Sequence, residues 1–385
     1  MAVETVSTQT SQSLGRHSVW IEVRLERILK NLENLREKAR PYTRVMAVVK
    51  ANAYGHGLVP VAQALQGKID FLGIGSLKEA SLLREQGVTA PLFLFGRLLA
   101  EEVSIALQMN LTLTVSSWEE ARTVSEAGSQ FAKKGKVPVH VKVDTGMKRL
   151  GIPYESSLLE IERMAALPNI QLDGIYTHFP TAERFPDPFT SRQMNDFETL
   201  IQDLRRKGIS FSFRHAANSA GTLRFKSPTL NLIRPGIALY GIYPHSSLTG
   251  EIDLEPALSL KSRIVFLKKV SPGDSVSYGR EFTAPHSTTV AVLPVGYAHG
   301  YPFHLSGKGE VLHQGRRYKI AGRVCMDSMM VDLGPSANAQ VGEEVTLLGP
   351  SGGEEISAEN LAALIGTIPY EIVTRLEAAI PRLYL

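Results

Sequence analysis

Lys50 stands at the end of the apolar run Val45–Val49 and is followed at once by Tyr54 and two glycines, in "VMAVVKANAYGHG". An amine held there can form a Schiff base with an aldehyde cofactor. The plain alternative is a lysine that closes a buried strand and lets its ammonium reach solvent. Further along, Lys142 and Asp144 end "VPVHVKVD", His178 ends "LDGIYTH", His215 and Asn218 lie in "FSFRHAAN", and Arg234 lies in "LIRPG". Singly, these read as a satisfied core histidine, a salt-bridged arginine and a turn or helix cap. What they share is a position at the end of a strand-like run.

The elements that must hold them follow from the pattern. Strand-like runs occur at "RVMAVVK", "DFLGIG", "PLFLFG", "LTLTVSS", "VPVHVKVD", "LDGIYTH", "FSFRHAAN" and "LIRPGIALYG", with helix-like stretches in most intervals. The helical spacing of "RLERILKNLENLREKAR" precedes the first of them. This alternation argues for a parallel sheet, and eight repeats argue for a closed (β/α)8 barrel. An open doubly wound sheet is the alternative, and the Gly-rich fingerprint such sheets often carry is absent. A barrel gathers the polar residues on its carboxyl rim, where independent structural residues have no reason to converge. "NSAG" at the seventh strand and "RPGI" at the eighth offer small residues and backbone amides for an anion. A lysine beside a phosphate site suggests pyridoxal phosphate.

From Leu254 the texture changes to short alternating runs broken by Pro-Gly and Gly turns, the pattern of a mainly antiparallel β domain. One late helix, "SAENLAALIG", has Ser357 as its N-cap and Gly366 just past its end. The expected organisation is a disordered lead-in over 1–17, a barrel over 18–248 and a β domain over 249–385. The 42 Lys and Arg against 38 Asp and Glu leave a charge of +4, with no basic cluster interleaved with aromatics, which argues against nucleic acid. No apolar run approaches the ~20 residues of a membrane span. The lead-in lacks a signal-peptide pattern, and Cys325, the single cysteine, excludes an internal disulfide. A cytoplasmic location and no metal site are expected.

Nine ordered motifs, "AVVKANAYGHG", "VKVDTGMKRLG", "YTHF", "HAANSAG", "RPGIALYG", "VSYGREF", "PVGYAHGYP", "GRVCMDSMMVDLG" and "IPYE", resemble the alanine racemase family, pyridoxal phosphate enzymes that interconvert L- and D-alanine. The resemblance implies that Lys50 carries the cofactor and acts as base on one face of the substrate. Tyr278 would be the base on the other face, supplied by the partner subunit of a head-to-tail homodimer. Arg234 would face the pyridine nitrogen. Tyr54, Ser219, Gly236, Ile237 and Tyr370 would bind phosphate, the glycine and isoleucine through backbone amides, and His178 and Asn218 are placed with the cofactor binders. Arg149 would position substrate and cofactor oxygens, with Tyr297 and Met326 facing the substrate from the partner side. Lys142 matches a lysine that is often carbamylated in this family. The implied role is supply of D-alanine for cell-wall peptidoglycan. One departure is "GYAHGYP", where the family more often has aspartate at His299, near the approach to the site.

The chemistry fits these groups. An α-proton is too weakly acidic to remove at neutral pH unless the carbanion is delocalised, and racemisation needs a proton acceptor on one face and a donor on the other. A tyrosine with its ordinary pKa of about 10 is a poor base without a neighbour that favours phenolate, for which His178 is the candidate. Guanidinium only donates, so a pyridine nitrogen facing Arg234 stays unprotonated, a weaker electron sink that favours racemisation over transamination. A barrel-type decarboxylase would want a carboxylate in place of Arg234, and a non-catalytic cofactor-binding barrel would lack the β domain. A serine or broad-spectrum racemase differs only in pocket volume.

Overall fold

The computed structural model describes residues 17–184 and 186–385, so the expected lead-in, apart from His17, lies outside the described residues. The eight expected strands form at Arg44–Val48, Phe71–Ile74, Leu92–Leu94, Leu111–Val115, Val137–Asp144, Ile170–Tyr176, Phe213–His215 and Leu232–Ile233. Each pairs in parallel with the next up to the seventh, and the eighth pairs with the first through Leu232↔Arg44 and Ile233↔Val45. Closure between the seventh and eighth strands comes from the Asn231 amide donating to the Arg214 carbonyl (3.0 Å) and the Arg234 amide donating to that of Ala217 (2.9 Å). The result is a (β/α)8 barrel.

Side chains alternate across each strand, so one set meets the surrounding helices and the other fills the barrel. Met46, Phe71, Phe93, Tyr176 and Leu232 form the inner cluster. Glycine makes room for its rings: a Cβ on Gly174 would lie 2.4 Å from the His140 ring, and one on Gly73 would lie 2.6 Å from Phe95. The helices start on local signals. Ser76 and Ser117 cap the helices Leu77–Glu85 and Trp118–Gly128 by accepting the amides of Glu79 and Glu120.

The second unit is mainly antiparallel, with Ser357 and Gly366 bounding the helix Ala358–Ile365 as expected. Its large sheet includes a strand from ahead of the barrel that the sequence pattern did not mark. Val19–Val23 pairs antiparallel with Leu258–Arg263 and parallel with Arg382–Tyr384. This moves Val19–Val23 out of the barrel that was expected to begin at residue 18. All five of its residues are buried, and its polar backbone is satisfied by a neighbour on each edge. The β unit is therefore built from segments on both sides of the barrel, which a single cut along the sequence does not describe. No helix among the described residues is long and apolar enough to cross a membrane.

Candidate active site

Lys50 leaves the first barrel strand on a backbone of unusual hand. Ala51, Asn52, Ala53 and Tyr54 have φ of 55, 55, 52 and 52°, four successive left-handed residues without a glycine among them. Such a conformation costs roughly 1–2 kcal/mol per residue, so the surroundings must hold it. The Ala53 amide donates to Val49 O (2.8 Å), and the Gly57 amide to Asn52 O (2.9 Å). Asn52 Oδ1 accepts from the Leu58 amide at 2.8 Å. His56 Nδ1 donates to the carbonyls of Tyr54 (2.9 Å) and Ala53 (3.1 Å). The C-terminal segment closes the turn from outside: Arg382 Nε donates to Gly55 O at 2.8 Å. Gly55, at φ 83°, packs so closely that a Cβ would lie 2.1 Å from Val373 O.

The turn opens onto a cavity of about 450 Å³ at the carboxyl ends of the strands. Lys50, Tyr54, Lys142, Arg149, His178, Asn218, Ser219, Arg234, Gly236, Ile237 and Tyr370 all line it. Tyr278, Tyr297 and Met326 do not; they sit on the β unit with exposures of 72, 45 and 55%. Asp144 also stays out, its Oδ1 accepting the amides of Gly146 and Lys148. His299 lines a different cavity with Asp327 and Glu377, where its Nδ1 accepts the Gly296 amide.

Four cationic side chains, Lys50, Lys142, Arg149 and Arg234, line the cavity, and no carboxylate does among the described residues. Lys50 is exposed to the cavity, yet the protein around it lowers its amine from the ordinary lysine range, Arg149 lowers it further, and Glu79 opposes both. Burial, then Arg149 and Arg234, bring Lys142 down to about 8. Arg234 is buried, and the desolvation of its charge lowers it to about 10.

Arg234 is fixed by carbonyls and rings in place of an acid. Nη2 donates to Thr177 O (3.0 Å) and Ala216 O (2.9 Å) and points at His178 Nδ1 (3.3 Å), and Nη1 donates to His215 Nδ1 (2.9 Å). Its Nε–H has no protein partner among the described residues. Because guanidinium only donates, His215 Nδ1 accepts and its ring proton sits on Nε2, and the approach of Nη2, shared with two carbonyls, favours the same tautomer in His178. His178 and His215 are thus neutral donors, kept far below their ordinary pKa by burial and then by Arg234.

At the other end of the cavity, Ser219 Oγ accepts the amides of Gly236 (2.9 Å) and Ala238 (3.3 Å), so its hydroxyl hydrogen is free to donate. The Gly236 amide, expected to bind phosphate itself, is taken up by this serine, whereas the Ile237 amide has no protein partner among the described residues. Gly236 also leaves a hollow: a Cβ there would lie 2.5 Å from Tyr54 Oη. Tyr54 and Tyr370 stand side by side with ring centroids 6.1 Å apart. A small anion fits between two phenols, a hydroxyl and a free amide.

Residues 23–244 match the alanine racemase N-terminal domain, and residues 257–384 match its C-terminal domain. The chain belongs to the alanine racemase family. The alanine racemase of Desulforamulus reducens is 42% identical over 373 residues, covering 96% of this chain and 100% of that one. That of Carboxydothermus hydrogenoformans is 42% identical over 369 residues, covering 95% and 99%. Among solved structures, alanine racemase from Clostridium difficile superposes with a TM-score of 0.89 at 34% identity, covering 96% of each chain. The Bacillus anthracis enzyme with bound L-Ala-P gives 0.88 at 36% identity, covering 96% of this chain and 95% of that one. The activity is alanine racemisation, and the rival decarboxylase and non-catalytic readings fall away.

Several site residues of this racemase escaped the sequence reading. Tyr176 and Phe95 line the cavity, and Tyr176 stacks on His215 with centroids 4.8 Å apart while Arg234 lies 5.4 Å above its ring. An aromatic inside a strand run carries no sign of which end of the barrel it faces, so Tyr176 reads as core. The left-handed turn had one faint signal, an asparagine between two alanines ahead of Gly55 and Gly57.

Proposed function

We propose that the chain racemises alanine with pyridoxal phosphate, using Lys50 and Tyr278 as the two bases, in a head-to-tail homodimer that completes each site. The observation that carries this reading is the division of the expected residues: the cofactor set shares one acid-free cavity, while Tyr278, Tyr297 and Met326 lie exposed on the other unit.

The residues fit the cofactor. The hollow at Gly236, the free Ile237 amide and the Ser219, Tyr54 and Tyr370 hydroxyls suit a phosphate, with Asn218 anchoring the segment through Nδ2 to Phe179 O (3.2 Å). The unpartnered Nε–H of Arg234 suits an unprotonated ring nitrogen, and Lys50 supplies the amine for attachment. Pyridoxal phosphate, when bound, supplies an electron sink for the carbon that loses its proton. Lys50 Nζ serves one face of that carbon, and its lowered pKa raises the neutral, proton-accepting fraction. Tyr278 of a second copy serves the other face, with the Nε2–H of His178 available to stabilise its phenolate. One proton leaves on one side and one arrives on the other, so the substrate changes hand with no net gain or loss. Arg149 holds the substrate carboxylate.

Mixing inactive Lys50→Ala and Tyr278→Phe proteins tests the shared site. Subunit exchange should restore activity in heterodimers, where one site regains both bases. Exchange demonstrated by mass spectrometry with no activity returning would overturn the dimeric site.

A further inference from the structure

We propose that Glu79 is a positioning residue for Lys50: one carboxylate ties the left-handed turn beside the lysine to the end of the second barrel strand. Glu79 Oε1 accepts the amide of Ala51, the residue after Lys50, at 2.7 Å. Oε2 accepts the amide of Gly75, just past the second strand, also at 2.7 Å. The lysine stem lies against the same spot. A Cβ built on Gly75 would be 3.5 Å from Glu79 Oε2 and 3.5 Å from Lys50 Cβ.

A second copy of the motif shows what is special here. Glu120 holds the same place in its own helix, three residues after the capping Ser117, and its Oε2 accepts the Ser116 amide at 2.7 Å. Its other oxygen is buried and lies against the guanidinium of Arg97, whose side chain is exposed. In Glu79 that second oxygen reaches 28 residues back along the chain to Ala51. The bond to the amide just before the capping serine recurs at both helix starts, so it belongs to the way these helices begin, and the bond to the lysine turn is extra. Ala51 is the first residue of the left-handed run, and its amide has no other partner among the described residues. A charged acceptor there favours a backbone direction that alanine does not choose for itself. The same carboxylate is the negative charge acting on the Lys50 amine, against burial and Arg149.

This rests on Lys50 being the cofactor lysine, so the test has arms that do not. In the cofactor-free full-length protein, amide exchange followed by mass spectrometry reads the turn directly. Competitive acylation against pH reads the Lys50 amine. Glutamine at position 79 keeps the size, has one oxygen acceptor for two amides and removes the charge. Glu79→Gln should speed exchange at the Ala51 turn about tenfold and move the Lys50 labelling midpoint to lower pH. In the loaded enzyme kcat should fall by about 10- to 100-fold. Glu120→Gln, the matched control, should alter neither the turn nor Lys50. Unchanged turn exchange and Lys50 midpoint in a folded Glu79→Gln protein would overturn the proposal. Borohydride trapping of the cofactor on another lysine would instead overturn the Lys50 reading and leave the exchange result standing.

Discussion

Nη1 of Arg234 lies 2.9 Å from Nδ1 of His215, and His215 Nε2 lies 2.9 Å from Nδ1 of His140. Since the guanidinium can only donate, the direction of the whole row is set: Arg234 to His215 to His140, with both rings neutral. His140 ends the row with an Nε2 that finds no partner among the described residues, enclosed by Phe71, Phe93 and Phe213.

That enclosure predicts acid sensitivity. Burial, then Arg234, pushes His140 down to about 3, and burial brings His56 down to about 4. Unfolded histidine titrates near 6.5, so below about that pH the unfolded chain binds protons that the folded one refuses. The stability tied to these neutral rings is full above about pH 6.5 and is lost as pH falls through about 4 and then 3. Urea midpoints should decline across this window. His140→Leu should flatten the decline while costing about 1–3 kcal/mol at pH 7, because His215 Nε2–H loses its acceptor. A variant with the wild-type slope would remove His140 from the account.

Gly236→Ala should weaken the cofactor and spare the fold. The new methyl would stand 2.5 Å from Tyr54 Oη, and Tyr54 has little room to retreat with Tyr240 5.1 Å away. Losing one phosphate contact should raise the cofactor Kd by about 10- to 100-fold, while the protein stays folded with a melting temperature lowered by the crowding at Tyr54. Fluorescence titration of the cofactor-free protein measures the first, and calorimetry the second.

Lys142 should take up carbon dioxide. Carbamylation needs a neutral amine, and at about 8 the buried Lys142 is roughly a tenth neutral at pH 7, far more than an ordinary lysine. The product is an anion among Arg149, Arg234 and Lys50, which converts repulsion into attraction. Isotope-labelled bicarbonate should give a carbamate carbon NMR signal that Lys142→Ala lacks, and activity in carbon-dioxide-free buffer should rise on adding bicarbonate.

Tyr278→Phe should separate proton exchange from racemisation. With Lys50 alone, the α-hydrogen of one enantiomer still exchanges with solvent while the other hand is not formed. In deuterium oxide, mass spectrometry should find label entering one enantiomer only, with racemisation reduced by about 100-fold or more. Label entering both enantiomers equally would show that Tyr278 is not the second base.

Much of this was legible in the chain itself. The eight strands are marked by β-branched runs whose period and spacing follow from burial on both faces, and a barrel collects whatever ends those runs. Lys50, His178, Ser219 and Arg234 are polar residues at such ends, so their shared cavity follows from topology alone. Ser357 and Gly366 carry their helix boundaries in their own chemistry. What only the tertiary structure decided depends on partners distant in sequence. Val19–Val23 is a strand wherever it lies, but its sheet is chosen by Leu258–Arg263 and Arg382–Tyr384. The left-handed turn at Ala51–Tyr54 opposes local preference and stands because Glu79, Val373 and Arg382 close around it. The tautomer of His215 is set, and that of His178 favoured, by one arginine that can only give hydrogen bonds, and no local pattern places that arginine beside them.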